Sequence, residues 1–212
     1  VNNARWDFAN PRFSPDGQSV AAIAIPQQPK HTMLGQLAII GNDGRLRTFD
    51  ASWDRDVAGP LRWSAASDTV YFLAEEAGRR HVWRRALASR APELVWQGGW
   101  TQGFDLAGAG GSDVLVTATD RIDHPVRIHA AHLSAGNDAR IEARRIERFN
   151  DALLARLKLG RSEEVYFRGA QGDAVQMWLV YPPNFNDQRK HAVLHVIHGG
   201  PFAAPGDTFG YR

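Results

Sequence analysis

A recurring unit in the first ~150 residues of this chain leaves few folds open. Phe13-Ser-Pro-Asp-Gly17 leads into Ser19-Val-Ala-Ala-Ile-Ala-Ile25. Trp63-Ser-Ala-Ala-Ser-Asp68 leads into Thr69-Val-Tyr-Phe-Leu73, and Phe104-Asp-Leu-Ala-Gly-Ala-Gly-Gly-Ser-Asp113 into Val114-Leu-Val-Thr-Ala118. Each unit reads as an aromatic residue, a polar turn and a β-rich run. The units start roughly 40–50 residues apart, the spacing of propeller blades with four strands each. The inner parts agree. Gln36-Leu-Ala-Ile-Ile40 and Arg45-Leu-Arg-Thr-Phe49 flank Asn42-Asp-Gly44, a hairpin signal because Asn and Gly tolerate positive φ. His81–Leu87 with Glu93–Trp96, and Val126–Leu133 with Ala139–Ile146, fill the corresponding places. The reading is about three blades. A propeller has about four to eight, so further blades are expected before Val1.

The pattern changes after Phe149. Asn150 is a candidate N-cap for the short helical turn Asp151-Ala-Leu-Leu-Ala-Arg156. Glu164–Phe167 and Val175–Tyr181, joined through Gly169-Ala-Gln-Gly172-Asp173, read as a hairpin that Pro182-Pro183 ends. Val193–Ile197 reads as a buried strand that stops at His198-Gly199-Gly200-Pro201, where two glycines free the backbone and a proline restricts it. Such a loop presents backbone N–H groups to a developing oxyanion. These boundaries divide the chain into a propeller part at 1–150, a linker with a short helix at 151–163, and a truncated hydrolase part at 164–212.

Composition excludes several functions. Lys+Arg 25 against Asp+Glu 23 gives a net charge of +2, so neither nucleic acid nor an acidic membrane is expected as a partner. The pairs Arg79-Arg80, Arg84-Arg85 and Arg144-Arg145 read as solvated faces. The chain has no cysteine, which removes disulfides, thiolate catalysis and Cys-based zinc. No apolar run reaches the ~18 residues of a membrane-spanning helix. His191 and His195 would share a strand face while His198 points away, and His124, His129 and His132 are similarly dispersed, so no metal and no other cofactor is expected. The tryptophans read as packing between blades, Asp16 as a stabiliser of its own turn, and Glu75-Glu76 as a weak candidate for a substrate amino terminus. With no Met at the start and a stop soon after a motif, the expectation is a stretch of a longer protein. The compartment is left open, with cytoplasm favoured over periplasm.

Taken together these residues resemble the prolyl oligopeptidase family of serine peptidases, and most of all its acylaminoacyl-peptidase and dipeptidyl-peptidase-like members. The resemblance rests on Phe13-Ser-Pro-Asp-Gly17, a turn shared with TolB-like propellers. It rests also on Arg148-Phe-Asn-Asp-Ala-Leu-Leu154 with Ser162-Glu-Glu-Val-Tyr-Phe167 and Gly172-Asp173, and above all on Leu194-His-Val-Ile-His-Gly-Gly-Pro201. It implies a fold that is mostly β, a partial propeller followed by the first strands of an α/β-hydrolase domain. The implied activity is hydrolysis of short peptides through a Ser-His-Asp triad and an acyl-enzyme. Gly199, or Gly200, would supply an oxyanion-hole N–H, and His198 would support that loop by hydrogen bonding. The chain contains no Gly-x-Ser-x-Gly elbow, and its last serine, Ser162, precedes the hydrolase strands. The triad is therefore expected beyond Arg212, and this chain alone is expected to be inactive. The expected partners are a short peptide, the remaining catalytic half of the same protein and, through exposed strands, a second copy. The alternatives are a non-catalytic TolB-like propeller for protein interaction, or an esterase or lipase with a similar loop.

Overall fold

The computed structural model describes residues 4–27, 33–49, 52–109, 112–133, 143–199 and 204–210. Twelve strands form three antiparallel meanders of four. The first comprises β1 (Trp6–Phe13), β2 (Ser19–Pro26), β3 (Gln36–Gly41) and β4 (Leu46–Thr48). The second comprises β5 (Ala58–Trp63), β6 (Thr69–Glu76), β7 (Arg79–Ala86) and β8 (Glu93–Trp96). The third comprises β9 (Trp100–Ala109), β10 (Ser112–Arg121), β11 (His124–Leu133) and β12 (Ala143–Arg145).

Alternation along β6 shows how the meanders stack. Val70, Phe72 and Ala74 enter one core with Ile23, Leu37 and Ile39 of the first meander. Tyr71 and Leu73 point the other way, into a second core with Phe104, Leu115 and Leu133 of the third. A strand buried on both faces in this manner belongs to a central sheet of a stack, with side chains at i and i+2 serving one neighbour. Trp53 packs edge-on against Phe72 and Trp83 at ring separations of 5.7 and 5.3 Å. The architecture is a partial β-propeller.

The repeated turn has a shared chemistry. Buried Ser14 donates its hydroxyl to Asp16 at 2.5 Å and accepts the N–H of Ser19 at 3.0 Å. Ser64 repeats this with Asp68 at 2.9 Å and the N–H of Thr69 at 3.1 Å. Hydrogen bonds from the Ser14 hydroxyl and the Gln18 N–H hold the Asp16 carboxyl below its usual range. The two turns also meet, since Asp16 donates its N–H to the Ser67 hydroxyl at 3.1 Å.

Four sequence expectations need correction. In the third unit Phe104–Gly108 is not a turn but part of β9, paired in register with β10. The ladder with β10 and the burial of Phe104 outweigh the weak strand preference of its glycines. Not all the arginine pairs are solvated faces. Arg85 is buried, with its guanidinium 5.0 Å from the Phe49 ring and bonded to Ser89 at 2.5 Å. Arg84 is bound to Glu93 at 2.8 Å. Asn150 precedes the helix α1 (Asp151–Leu154), but its side chain makes no capping bond. The fourth correction concerns Val193–Ile197. It joins no sheet, and Val193 is 90% and Leu194 87% exposed. A strand exists only through its neighbours' N–H and C=O groups, and none of the described residues offers this run an edge.

The hairpin after the propeller forms as its turn residues indicate. β13 (Ser162–Arg168) pairs antiparallel with β14 (Ala174–Val180), from Ser162 opposite Val180 to Arg168 opposite Ala174. Gln171 and Gly172 make the turn with positive φ.

Candidate active site

The hairpin is fastened to the propeller at the β6–β7 turn. Arg79, the first residue of β7, donates to Glu164 of β13 at 2.6 Å and lies 4.9 Å from the ring of Trp178 on β14. Gln176 donates to the Ala77 carbonyl at 2.8 Å and to Glu164 at 2.7 Å. Gly78 fits this junction, since it has a φ of 66° and a Cβ there would lie 3.2 Å from the indole nitrogen of Trp178. Hydrogen bonding from Tyr166, and after it from Arg79, holds the Glu164 carboxyl below its usual range despite partial burial.

From Val180 the chain runs outward to the glycine loop. The His191 ring lies within hydrogen-bond distance of the Asn186 carbonyl, at 2.9 Å, and 4.8 Å from the Phe185 ring. His198 is exposed, and its Nδ1 lies 3.3 Å from the Gly199 carbonyl. Gly199 is also exposed, with open space where a Cβ would be. Gly200 and Pro201 lie outside the described residues. The structure brings neither His198 nor Gly199 to another functional group among the described residues.

Beyond the loop the chain returns to the propeller. Asp207 is 1% exposed and accepts the Ile122 N–H, from the β10–β11 turn, at 2.9 Å. Its second oxygen lies 3.5 Å from Arg121 and 3.8 Å from Arg79. The Asp207 N–H donates to the Gly78 carbonyl at 2.7 Å. Phe209 donates its N–H to buried Asp120 at 3.0 Å, and Asp120 is also bound by Gln102 at 3.1 Å. Gly206 lies on the face of Trp100, where a Cβ would come within 2.3 Å of the ring. Sequence reasoning passed over Asp207 and Asp120, and the reading of Arg79 as part of a solvated face is corrected by its contacts with Glu164 and Trp178. The only local signal was Gly206-Asp207 soon after the glycine loop, and their partners lie some 85 residues away or more.

The acidic pair on β6 is engaged within the propeller. Glu76 forms an ion pair with Arg55. Burial raises the Glu75 carboxyl, opposed by nearby Arg80. Among the described residues no group of three or more His, Asp or Glu is arranged to hold a metal ion. No helix among them is long and apolar enough to cross a membrane.

No protein-family model matches the chain. It is 24% identical over 204 residues to dipeptidyl-peptidase 5 of Porphyromonas gingivalis, an alignment covering 95% of this chain and 28% of that protein. The fold matches an acylaminoacyl peptidase of Pyrococcus horikoshii with a TM-score of 0.70 and 20% identity, over 92% of this chain and 28% of the other. It also matches an acylaminoacyl peptidase in complex with Z-Gly-Gly-Phe-chloromethyl ketone, with a TM-score of 0.71, 19% identity and the same coverage. The chain is similar to these peptidases in fold, over nearly its whole length. It spans 28% of the length of the curated relative described above. The described residues comprise propeller meanders, the hairpin fastened to them, and the approach to the glycine loop.

Proposed function

We infer that this chain is the propeller-to-hydrolase stretch of a serine peptidase that cleaves short peptides. One observation carries the reading most of the way. A glycine loop, His198-Gly199-Gly200-Pro201, follows a hairpin docked on a propeller, in a chain related over nearly its whole length to peptidases. A peptide inhibitor held by a solved relative supports a peptide as the substrate class.

In this reading the Gly199 N–H, or that of Gly200, donates to the carbonyl oxygen as it becomes an oxyanion. A fixed donor acts on charge that develops only in the transition state, and losing one costs about 10²–10³ in rate. The nucleophilic serine, its histidine base and the orienting aspartate come from residues after Arg212. The propeller stands over the site and excludes large folded substrates.

Two measurements test the proposal. Reading the gene past codon 212 should disclose Gly-x-Ser-x-Gly within roughly 100 codons. The complete gene product should then take a fluorophosphonate label on that serine and hydrolyse short peptides, while the 212-residue chain alone does neither. A gene with no serine elbow would leave the family fold in place and remove the activity.

A further inference from the structure

The β6–β7 turn carries two separate loads. All three of its residues face the hairpin. The Ala77 carbonyl accepts from Gln176 at 2.8 Å, a Cβ at Gly78 would lie 3.2 Å from the Trp178 indole nitrogen, and Arg79 donates to Glu164 at 2.6 Å. The same turn also faces the segment 204–210. The Gly78 carbonyl accepts the Asp207 N–H at 2.7 Å, and the Arg79 guanidinium stands 3.8 Å from the Asp207 carboxylate. Ala77 and Gly78 have φ of 49° and 66° and form a two-residue connection between β6 and β7. So tight a turn has little room to adjust to one load independently of the other.

The charges at this turn are shared in the same way. Asp207 is almost fully buried, and its second carboxylate oxygen has no hydrogen bond. A buried carboxylate is costly unless opposite charge compensates it. Here the compensation comes from Arg79 and from Arg121, which also lies 3.8 Å from Asp123. Arg79 is in turn fixed by Glu164 and by the Trp178 ring 4.9 Å away. Ordering an arginine side chain costs rotamer freedom, and that cost is incurred once for both carboxylates. A guanidinium already held by the hairpin is therefore a better partner for Asp207 than a free one, and by linkage the converse holds.

We propose that the β6–β7 turn is a two-way clasp, in which Arg79 couples the docking of the β13–β14 hairpin to the docking of the 204–210 segment, so that the two engage or release together. The coupling does not require the peptidase reading. Molecules with one segment seated and the other lifted are then rare, and the two segments leave the propeller as one cooperative unit.

The test is amide hydrogen exchange in the complete gene product carrying Glu164→Gln, which keeps the shape and removes the charge that fixes Arg79. The Asp207 and Phe209 amides, which donate to Gly78 and Asp120, report on the 204–210 segment. Their exchange should rise about fivefold or more, although Glu164 belongs to the other segment. Asp207→Asn should in turn raise exchange across β13–β14 by a similar factor, since coupling between two sites is reciprocal. Glu163→Gln is the control. Glu163 is on the opposite face of β13 and bonds to Arg161 and Tyr181, so its loss should leave the Asp207 and Phe209 amides unchanged. Unchanged exchange at those two amides in Glu164→Gln, or an equal rise in Glu163→Gln, overturns the proposal. So does unchanged exchange across the hairpin in Asp207→Asn. Protection of β6 marks an intact propeller, and where Glu164→Gln loses it, Asp207→Asn decides. Loss of β6 protection in both variants overturns the proposal too, since the turn would then hold the propeller together rather than couple two segments to it.

Discussion

Two apolar runs of similar make-up meet opposite fates in this molecule. In β6, Val70 and Leu73 are both 0% exposed. In the run before the glycine loop, Val193 is 90% and Leu194 87% exposed. The difference is not in the residues. β6 has hydrogen-bonded strands on both sides and a packed meander on each face, whereas Val193–Ile197 has neither among the described residues. A propeller meander carries its own edge partners within about 40 residues of sequence, so its hydrogen bonds close locally. A run whose partners lie far away in the sequence has no such provision.

The largest effect that could break this contrast is at Phe72, fully buried between meanders. Phe72→Ala should cost about 3–5 kcal/mol in urea unfolding of the chain, by lost burial and the cavity left behind. A cost under about 1 kcal/mol would mean the meanders are not packed as described.

A smaller effect should appear on acidification. Burial lowers the pKa of His81 below its ordinary 6.5, and His129 moves the same way through burial and the nearby Arg145. Both therefore stay neutral in the fold at pH values where the unfolded chain takes up protons. Stability is complete above the unfolded value and falls as pH drops through it towards the folded value. His81→Gln should flatten part of the slope of unfolding free energy against pH between about 7 and 5, and His81→Gln with His129→Gln should flatten more. An unchanged slope in the double variant would show that neither ring is buried in its neutral form.

The repeated turns come next. Ser64→Ala removes both the acceptor for Thr69 and the donor to Asp68, and should cost about 1 kcal/mol. Ser14→Ala should cost a similar amount if the two turns are equivalent, so a large inequality would argue against a shared role.

The smallest effect is the one that sharpens the comparison. Leu194→Ala in this chain should change stability by no more than about 0.5 kcal/mol. In the complete gene product, where the peptidase reading supplies neighbouring strands, the same change should cost about 2–5 kcal/mol. A small effect in both settings would mean that the run before the glycine loop is not a core strand.

What could be read from the sequence follows the same division. The serine–aspartate turns were legible because their bonds close within five residues, as Ser14, Asp16 and Ser19 illustrate. The β13–β14 hairpin was legible because Gly172 and Pro182-Pro183 mark its turn and its end. Arg85 was misread because a charge pattern along the chain carries no trace of the Phe49 ring beneath it. Asp207 was passed over for a related reason. Nothing beside it in sequence announces Arg79, Arg121 or Ile122, which only the fold brings to it.

The double attachment to the β6–β7 turn changes the polymer physics of everything between. Trp178 and Gly206 are both held there, so the chain between them begins and ends at one place on the propeller. The entropy of closing such a loop grows only with the logarithm of its length, roughly 0.6 kcal/mol for each doubling. A change of length between the two tethers is therefore expected to be thermodynamically mild.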